Sequence, residues 1–506
     1  MINIDFLTLK AFMGENIDFF IGARLQKIQQ PTRKDFVFTL RNNGESRKLY
    51  ININPQIYHI AFMGKENELK RNLSIPKQPP MFCMLLRKYL EGCKIADALV
   101  IENERILEFH FETMDEFSQK RSLCLCVELM GKHSNIILYD RESFLIIGCA
   151  HNVGAEKSRY RELQGGLKYI YPPQGSGLSN ELKLQFANLS QDEINAYLLA
   201  ETYRPAIKDD RYTLFKELLE DSKAYSTVNE MIDVYYSAIQ ESINLRVEKD
   251  KLYSVVQAKL KKIKSSREKI AVLLKKRDNT EKYKLYGEIL TANLYLKRDY
   301  SKEIELLNHY TGENITIELD EALTLSENAQ RYFKLYSKSK ATKEKTTKML
   351  EELLVEQDYQ ENIIYSIDKA SSIKELEEIF SELNLTANKT DKKEAPTIIK
   401  LMINGFEVYV GKNNKQNDLI ISKLSKDEDY WFHTRLCAGS HVLLKVRENE
   451  PDEETIFKCC ELAREFSSAT QPSKVGVIYT KRKFIKKPPK APLGYVIYKN
   501  EKEVLV

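Results

Sequence analysis

The sequence predicts a multidomain α+β fold: a mixed α/β N-terminal domain, a helical segment, a long antiparallel coiled-coil hairpin and a small α+β C-terminal domain. Three observations lead to this prediction. The chain has 506 residues, more than one ordinary domain holds. Residues 241–296 contain no Pro and one Gly, and their apolar residues recur at heptad-like spacing. Strand-like and helix-like stretches occur on both sides of that segment.

Residues 1–175 form the predicted N-terminal domain. Strand-like stretches fall at 37–40, 49–53, 105–111, 123–130 and 135–139. The first two flank Asn42-Asn43-Gly44-Glu45, which is typical of a tight turn. A helix is predicted from Phe82 to Gly92, and the glycine ends it. The Pro- and Gly-rich stretch 172–177 indicates a domain boundary.

The middle of the chain is predicted to be helical, except for a turn and a short strand at 310–317. Residues 176–240 form a compact helical domain, and residues 241–385 an antiparallel coiled-coil hairpin with its tip near 297–324. The apolar seam of the first arm consists of Val256, Leu260, Ile263, Ile270 and Leu274. The second arm runs from about 327 to 369. Arms of this length reach roughly 70–80 Å at 1.5 Å per residue.

Positive charge is concentrated on this hairpin. Residues 251–277 hold ten Lys or Arg and one acid, and residues 331–348 hold seven and one. A reversal near residue 308 is expected to bring the two runs side by side as one basic band. Its candidate contacts are Lys259, Lys261, Lys262, Lys264, Arg267, Lys343, Lys345 and Lys348. One charge run alone is as well explained by a solvated face, whereas two coincident runs favour a polyanionic partner.

A polar linker at 386–397 precedes a compact domain at 398–506. Strands are predicted at 406–410, 475–479 and 495–498, and a helix near 453–467. Gly411 and Gly439 allow close main-chain approach, amides donate to phosphate or ribose, and Trp431 and Phe432 offer rings for base stacking. The candidate RNA contacts are Lys412, Asn413, Asn414, Gln416, Trp431, His433, His441, Lys481, Arg482, Lys483, Lys486 and Lys487.

Several classes of protein are disfavoured by composition. No apolar run of the length needed to cross a bilayer and no secretory signal is visible, so a cytoplasmic protein without a membrane partner is expected.

The eight Cys form no CxxC pair, although Cys124 and Cys126 would share one strand face. This spacing favours reduced, buried thiols over a zinc site. His433 and His441 could serve acid–base or metal chemistry, but structural or RNA hydrogen bonding is favoured. We therefore expect no metal, no cofactor and no catalytic residue.

Short blocks of the sequence resemble the NFACT family. In the last domain they are 411–418, 431–433, 439–442 and 479–489; elsewhere they are 82–88, 128–135, 171–173, 286–293 and 327–333. They span nearly the whole chain in the family's order. The chain stops just after the RNA-binding domain, and so resembles the bacterial form.

The resemblance implies a ribosome-associated quality-control factor rather than an enzyme. Such a factor binds large (50S) ribosomal subunits obstructed by peptidyl-tRNA, contacts ribosomal RNA, recruits alanyl-tRNA and directs untemplated C-terminal alanine tailing for degradation. A small RNA-binding cofactor of the same pathway is a further expected partner. The resemblance also implies that 1–175 binds tRNA and that 176–240 is helix-hairpin-helix-like.

Two tRNA sites carry over from the family. Its Asp-Arg pair corresponds to Glu104-Arg105, where the acid is one methylene longer. The arginine can still contact phosphate or a base with two donors. The second site is Glu128-Leu129-Met130 at the end of a strand. Its pattern predicts that Leu129 and Met130 lie in the core and that Glu128 is the contact.

Two other functions are compatible with parts of this pattern. One is a surface adhesin that binds fibronectin or fibrinogen, for which no export signal, anchor or disulfide framework is visible. The other is a DNA-repair glycosylase, because the family's N-terminal domain is similar in fold to such enzymes. Those enzymes use an N-terminal proline, and Ile2 stands here. The ribosome-bound factor is therefore the preferred interpretation.

Overall fold

In a computed structural model of the protein, the described residues are 4–71, 73–114, 120–175, 177–276, 279–296, 301–385, 398–435, 437–447, 449–469 and 475–506. The predicted linker 386–397 lies outside them. The chain divides into two compact units, Met1–Asn244 and Leu245–Val506. In the part of the chain that is described, no helix is long and apolar enough to cross a membrane.

The first unit combines helices with an extended antiparallel sheet. Its helices are α1 (Phe6–Phe20), α2 (Lys65–Arg71), α3 (Met81–Leu90), α4 (Asn180–Gln185), α5 (Gln191–Leu198) and the start of α6 (Val228–Lys276). Its strands are β1 (Arg24–Gln29), β2 (Asp35–Asn42), β3 (Glu45–Asn52), β4 (His59–Phe62), β5 (Lys94–Val100), β6 (Ile106–Met114), β7 (Lys120–Glu128), β8 (Asn135–Asp140), β9 (Ile146–Cys149), β10 (Ala206–Lys208), β11 (Arg211–Thr213) and β12 (Lys223–Ala224). The five predicted strands and the helix at Phe82 are confirmed as β2, β3, β6, β7, β8 and α3.

The large sheet has nine strands in the order β4-β3-β2-β1-β5-β6-β7-β8-β9. The predicted turn between β2 and β3 is confirmed, with Asn43 and Gly44 at φ of 49° and 80°. One face of the sheet packs against α1 and α3 through buried side chains such as Phe12 and Leu86. Gly92 follows α3 at φ 87°, as expected of a residue that ends a helix.

Strand β6 is buried on both faces, which positions the polar groups discussed below. Leu107, Phe109 and Phe111 point into the main core. The alternate residues face a second apolar cluster, formed with Ile137 and Tyr169. The chain that follows β8 covers this second face, because Leu163 and Tyr169 belong to the same cluster.

Residues 177–240 differ from the helical expectation in one respect. They contain α4, α5 and the start of α6, but also a three-stranded sheet in the order β11-β10-β12. Leu182, Phe186 and Tyr212 are buried in the same core as the nine-stranded sheet. The strands are only two or three residues long, too short to give an alternating pattern in the sequence.

The second unit contains the coiled-coil hairpin and the C-terminal domain. Its elements after α6 are α7 (Thr280–Ala292), β13 (Glu303–Leu307), β14 (Asn314–Glu318), α8 (Leu325–Lys369), α9 (Ile373–Glu382), β15 (Ile399–Ile403), β16 (Phe406–Val410), α10 (Asn414–Leu419), β17 (Tyr430–Thr434), β18 (Val442–Leu444), α11 (Glu453–Glu465), β19 (Gly476–Lys481), β20 (Ile485–Lys486), β21 (Ile497–Tyr498) and β22 (Lys502–Leu505). The predicted seam is confirmed, since Val256, Leu260, Ile263 and Ile270 are at most 8% exposed. The tip is a hairpin of β13 and β14.

The register of the hairpin corrects one expectation. Tyr253 hydrogen-bonds to Asp368, and Arg267 to Gln357. Residues 253–267 therefore lie opposite residues 357–368 at the acidic end of α8, not opposite the basic run 331–348. The expectation that the two basic runs lie side by side was wrong. Residues at equal distances from the tip face each other, and the first run lies farther from the tip than the second, so it faces residues that follow the second run. The two runs instead succeed one another along the hairpin.

The C-terminal domain is built on a six-stranded sheet in the order β15-β16-β18-β17-β19-β22. Helix α11 packs against one face through Cys459, Cys460 and Ala463. The other face carries Trp431, together with Ile420 and Leu443. The predicted strand at 406–410 and the helix near 453–467 are confirmed as β16 and α11.

Candidate nucleic-acid interface

A cleft of about 1330 Å³ opens in the first unit. It is bounded by the start of α3, the β5–β6 turn, the β7–β8 connection and the loops between 147 and 175. The charged side chains among its described lining residues are Arg33, Arg105, Lys132, Lys157, Arg161 and Glu104. Arg161 is paired with the buried Glu128, and the other four cations against one carboxylate give the cleft the electrostatics of a polyanion site.

Glu104 and Arg105 occupy this cleft but have different environments. The Glu104 side chain accepts a hydrogen bond from the backbone N–H of Gly175 at 2.7 Å, and the residue is 9% exposed. Arg105 is partly exposed, and its Nη1 donates to the Tyr58 hydroxyl at 2.9 Å. A guanidinium has five N–H donors, so others remain for a ligand. Arg105 is therefore a candidate contact, and Glu104 holds the loop beside it.

The second site implied by the family resemblance, Glu128-Leu129-Met130, is arranged differently from the prediction. Glu128 is fully buried, and its two oxygens accept hydrogen bonds from Arg161 Nη1 and Nη2 at 2.7 and 2.6 Å. The Tyr169 hydroxyl donates to it at 2.8 Å. Leu129 is buried as predicted, whereas Met130 lines the cleft. The expectation that Glu128 contacts tRNA stays a prediction; in this structure Arg161 stands between its carboxylate and the cleft.

The cleft also contains large exposed side chains that sequence reasoning missed. Tyr160 is 80% exposed and Met81 is 88% exposed, and both line the cleft. Tyr160 stands between Arg159 and Arg161, and an aromatic residue interleaved with basic ones is a recognisable RNA-binding signal. That signal could have been found in the sequence.

In the C-terminal domain, the predicted contacts around 412–416 are engaged by α9. The contacts are Lys412 Nζ to Glu375 (2.6 Å), Asn413 Nδ2 to Glu378 (2.7 Å), Gln416 Nε2 to Glu378 (3.1 Å) and Asn414 Nδ2 to Glu382 (3.1 Å). Helix α9 is itself anchored between α6 and α8 by Leu376 and Ile379. Burial opposes ionisation of Glu375, but the hydrogen bond from Lys412 and those from Ser371 hold its pKa below the usual value. These donors therefore fasten the domain to the base of the hairpin.

The aromatic part of the same prediction is also internal. Trp431 is 1% exposed, so it offers no face for a base in this conformation, and Phe432 is fully buried. The rings of His433 and His441 lie 5.8 and 5.3 Å from the Trp431 ring. Burial lowers the pKa of both histidines, and the charge of His433 adds to the effect on His441. These residues form a packed neutral cluster.

The basic segment 481–490 is more accessible. Lys481 and Lys483 bind Glu428 at 2.9 and 2.8 Å, and they lower the pKa of that carboxyl to about 2. Arg482 donates to the backbone carbonyls of neighbouring loops and is partly buried. Lys487 pairs with Asp418. Lys486 is exposed. This edge therefore keeps part of its positive charge at the surface.

The candidate contacts on the hairpin are solvent-facing. Lys259, Lys261, Lys262, Lys264, Lys343, Lys345 and Lys348 are exposed, and Arg267 is half-buried. Along α6 they alternate with the buried seam residues Leu260 and Ile263. This alternation leaves the lysines on the outer face of the arm, where a polyanion can reach them.

Comparison with known proteins identifies relatives along the whole chain. The family model of the NFACT N-terminal and middle domains matches residues 5–204 and 178–397, and that of the NFACT protein RNA binding domain matches 398–500. The chain is 30% identical to "Rqc2 homolog RqcH" of Bacillus subtilis and 31% identical to that of Streptococcus suis. Each alignment covers 96% of this chain and 94% of the relative.

Solved structures are also similar to parts of the chain. The N-terminal structure of the fibronectin/fibrinogen-binding protein from Streptococcus suis is 27% identical, with a TM-score of 0.40 over 47% of this chain and 100% of that chain. Such a score carries no argument about function. The family models and the full-length relatives lead to one conclusion: this chain belongs to the NFACT family.

Proposed function

We propose that the protein is a ribosome-associated quality-control factor that binds large (50S) subunits obstructed by peptidyl-tRNA. On them it recruits alanyl-tRNA and directs untemplated C-terminal alanine tailing of the stalled product. The observation that carries the proposal is the 30–31% identity to RqcH proteins over 96% of the chain. The cleft adds a physical reason, because its four cations besides Arg161 suit a nucleic-acid backbone.

The proposal assigns no chemistry to the protein itself. Peptidyl transfer belongs to the ribosome, so the factor needs only to bind and orient RNA. The burial of His441, which lowers its pKa, agrees with this assignment, because an acid–base catalyst must reach its substrate. Cytoplasmic location and the absence of a cofactor are parts of the same proposal.

Co-sedimentation tests the proposal directly. Full-length protein is added to lysates containing stalled ribosomes, and gradient fractions are probed for the protein and for tRNA. We expect it with the large subunit at moderate salt and expect binding to fall steeply as salt rises. Sequencing of the bound tRNA should return tRNA-Ala. If the protein stays at the top of the gradient, the proposal fails.

Two sets of variants separate the proposed roles. Lys261→Glu/Lys262→Glu/Lys264→Glu should weaken subunit binding, because the three lysines are exposed on α6. Arg105→Ala should spare subunit binding but remove tRNA from the pull-down. A Lys65→Glu/Lys70→Glu variant, altered on the exposed face of α2, is the charge control. Loss of both binding activities in Arg105→Ala would show that the roles are divided wrongly.

A further inference from the structure

A buried polar cluster lies on the covered face of the nine-stranded sheet, outside the cleft. Glu108 and His110 alternate along β6, and Cys124 is the cross-strand neighbour of His110 on β7. Their exposures are 4%, 4% and 0%. Three groups with metal-ligand chemistry therefore share one dry surface between apolar side chains.

The ligand atoms of this cluster converge. One ligand atom from each of the three side chains lies within 4.8 Å of the other two. His110 Nε2 is 3.0 Å from Glu108 Oε2. Ligands about 2.0–2.3 Å from a zinc ion stand about 3–4 Å from one another, so small side-chain rotations close the site.

The surroundings support these groups as metal ligands. The Tyr139 hydroxyl donates to Glu108 Oε1 at 2.9 Å and Tyr171 donates to the same oxygen, so Oε2, which is hydrogen-bonded to His110 Nε2 in this structure, is the oxygen that would take the metal. The other ring nitrogen of His110, Nδ1, is buried, has no hydrogen-bond partner among the described residues, and lies 3.4 Å from the Asp97 carboxylate. A carboxylate behind a histidine fixes its tautomer and strengthens it as a ligand.

The charge balance of the cluster is compatible with a divalent cation. A zinc ion would displace the thiol proton to solvent, and its two positive charges would balance one thiolate and one carboxylate beside a neutral imidazole.

We propose that Glu108, His110 and Cys124 form a zinc site with Asp97 as the supporting carboxylate. The mixed sulfur, nitrogen and oxygen ligands suit zinc better than calcium or magnesium, which prefer oxygen alone. The site would join β5, β6 and β7. Through Glu108 it would also fix Tyr171, which precedes Pro172, Pro173 and Gly175 in the cleft wall. This inference is independent of the proposed ribosomal function.

Metal analysis of the full-length protein tests the site. Protein refolded or purified with Zn²⁺ and then desalted should retain one zinc per chain, and Co²⁺ in its place should give a thiolate-to-cobalt absorption band. Cys124→Ser should lose both signals. Cys126→Ser is the matched control, because Cys126 is equally buried on the same strand and bonds instead to the Tyr169 hydroxyl. Asp97→Asn should weaken zinc binding by roughly 10–100-fold.

Each outcome decides the proposal. Wild-type protein that retains no stoichiometric zinc and shows no cobalt–thiolate band overturns it, and this measurement needs no variant to fold. Zinc that persists in Cys124→Ser lies elsewhere and also overturns it. Equal loss in both cysteine variants overturns the assignment to Cys124. Circular dichroism of each variant is recorded first, and a variant without the wild-type spectrum is replaced by Cys124→Ala.

Discussion

Residues of the cleft in the first unit and of the 412–416 loop in the C-terminal domain were both predicted to contact RNA. Their hydrogen-bond donors differ in whether carboxylates of the protein itself already hold them. In the cleft, the acid Glu104 is engaged by the backbone of Gly175, and four cations besides Arg161 line the opening. In the loop, Lys412 and three amides are engaged by the carboxylates of α9. The cleft can therefore offer positive charge to a ligand, whereas the loop has already used its donors.

The difference shows what residue type alone cannot decide. Asn, Gln and Lys suit a phosphate backbone wherever they occur, but each becomes a contact only when no internal acceptor holds it. An acidic helix ten residues long was sufficient to redirect one of the densest motifs in the chain. The RNA-facing edge of the C-terminal domain is then better sought at the exposed Lys486.

The largest expected effect is on the free energy of unfolding, and it comes from the buried ion pair of Glu128 and Arg161 beside the cleft. Glu128→Gln should cost about 3–5 kcal/mol, because it leaves the Arg161 guanidinium buried without its counter-charge. Urea unfolding followed by circular dichroism measures this. Glu128→Gln/Arg161→Met should recover much of the loss, since an uncharged pair needs no compensation.

An exposed ion pair provides the control for this prediction. Glu45→Gln removes a partner of Arg47 at the surface and should leave the urea midpoint almost unchanged. If Glu128→Gln instead unfolds like the wild type and loses only tRNA binding, Glu128 touches the ligand directly. That result would support the sequence prediction that Glu128 contacts tRNA in the cleft.

The next prediction compares Tyr160 of the cleft with Trp431 of the C-terminal domain in their effects on tRNA affinity and melting temperature. Tyr160→Ala should weaken tRNA binding by about 1–3 kcal/mol, the usual contribution of one stacked base, without changing the melting temperature. Trp431→Ala should lower the melting temperature, because the ring is part of the core, and leave tRNA affinity of the folded protein unchanged. Tyr160→Phe keeps the ring and serves as the control. A tRNA defect confined to Trp431→Ala would reverse the comparison.

Much of the fold follows from local pattern. The strands β2, β3, β6, β7 and β8 and the heptad seam were predictable because each has its own period or turn signal. Helix α1 was missed although it begins at Asp5, whose side chain accepts a hydrogen bond from Thr8 N, and then buries Leu7 and Phe12. Its exposed residues Lys10, Glu15 and Asp18 form only a narrow polar row beside a broad apolar surface, so the helical period is weak.

The candidate sites were harder to predict than the elements. Glu104 and Arg105 lie in the cleft, whereas the partner of Glu128 is Arg161, 33 residues along the chain. Such a contact has no signal in one sequence. The hairpin reverses close to the predicted point, and the error lay in assuming that both basic runs are equally far from the tip.

A smaller effect is expected when α9 loses a carboxylate. Glu378→Gln removes the negative charge that holds both Asn413 and Gln416. We expect a stability loss of about 1–3 kcal/mol from the weakened amide contacts. We also expect ribosomal RNA to bind about two to three times more tightly, because one competing carboxylate is gone. Glu377→Gln, on the exposed side of α9, is the control. Equal effects in both variants would mean that general charge, not the contact, is responsible.

The smallest effect tests two lysines of the C-terminal domain against each other. Lys412 Nζ is 2.6 Å from Glu375, whereas Lys486 is exposed on β20. Lys486→Ala should therefore weaken ribosomal RNA binding and reduce the slope of log affinity against log salt by about one. Lys412→Ala should change the affinity by less than about twofold and leave the slope as it is, because its ammonium already has a carboxylate partner. Filter binding over a salt series measures both quantities. An equal loss of slope in Lys412→Ala would mean that RNA displaces α9 from the loop, and the two regions would then recognise RNA in the same way.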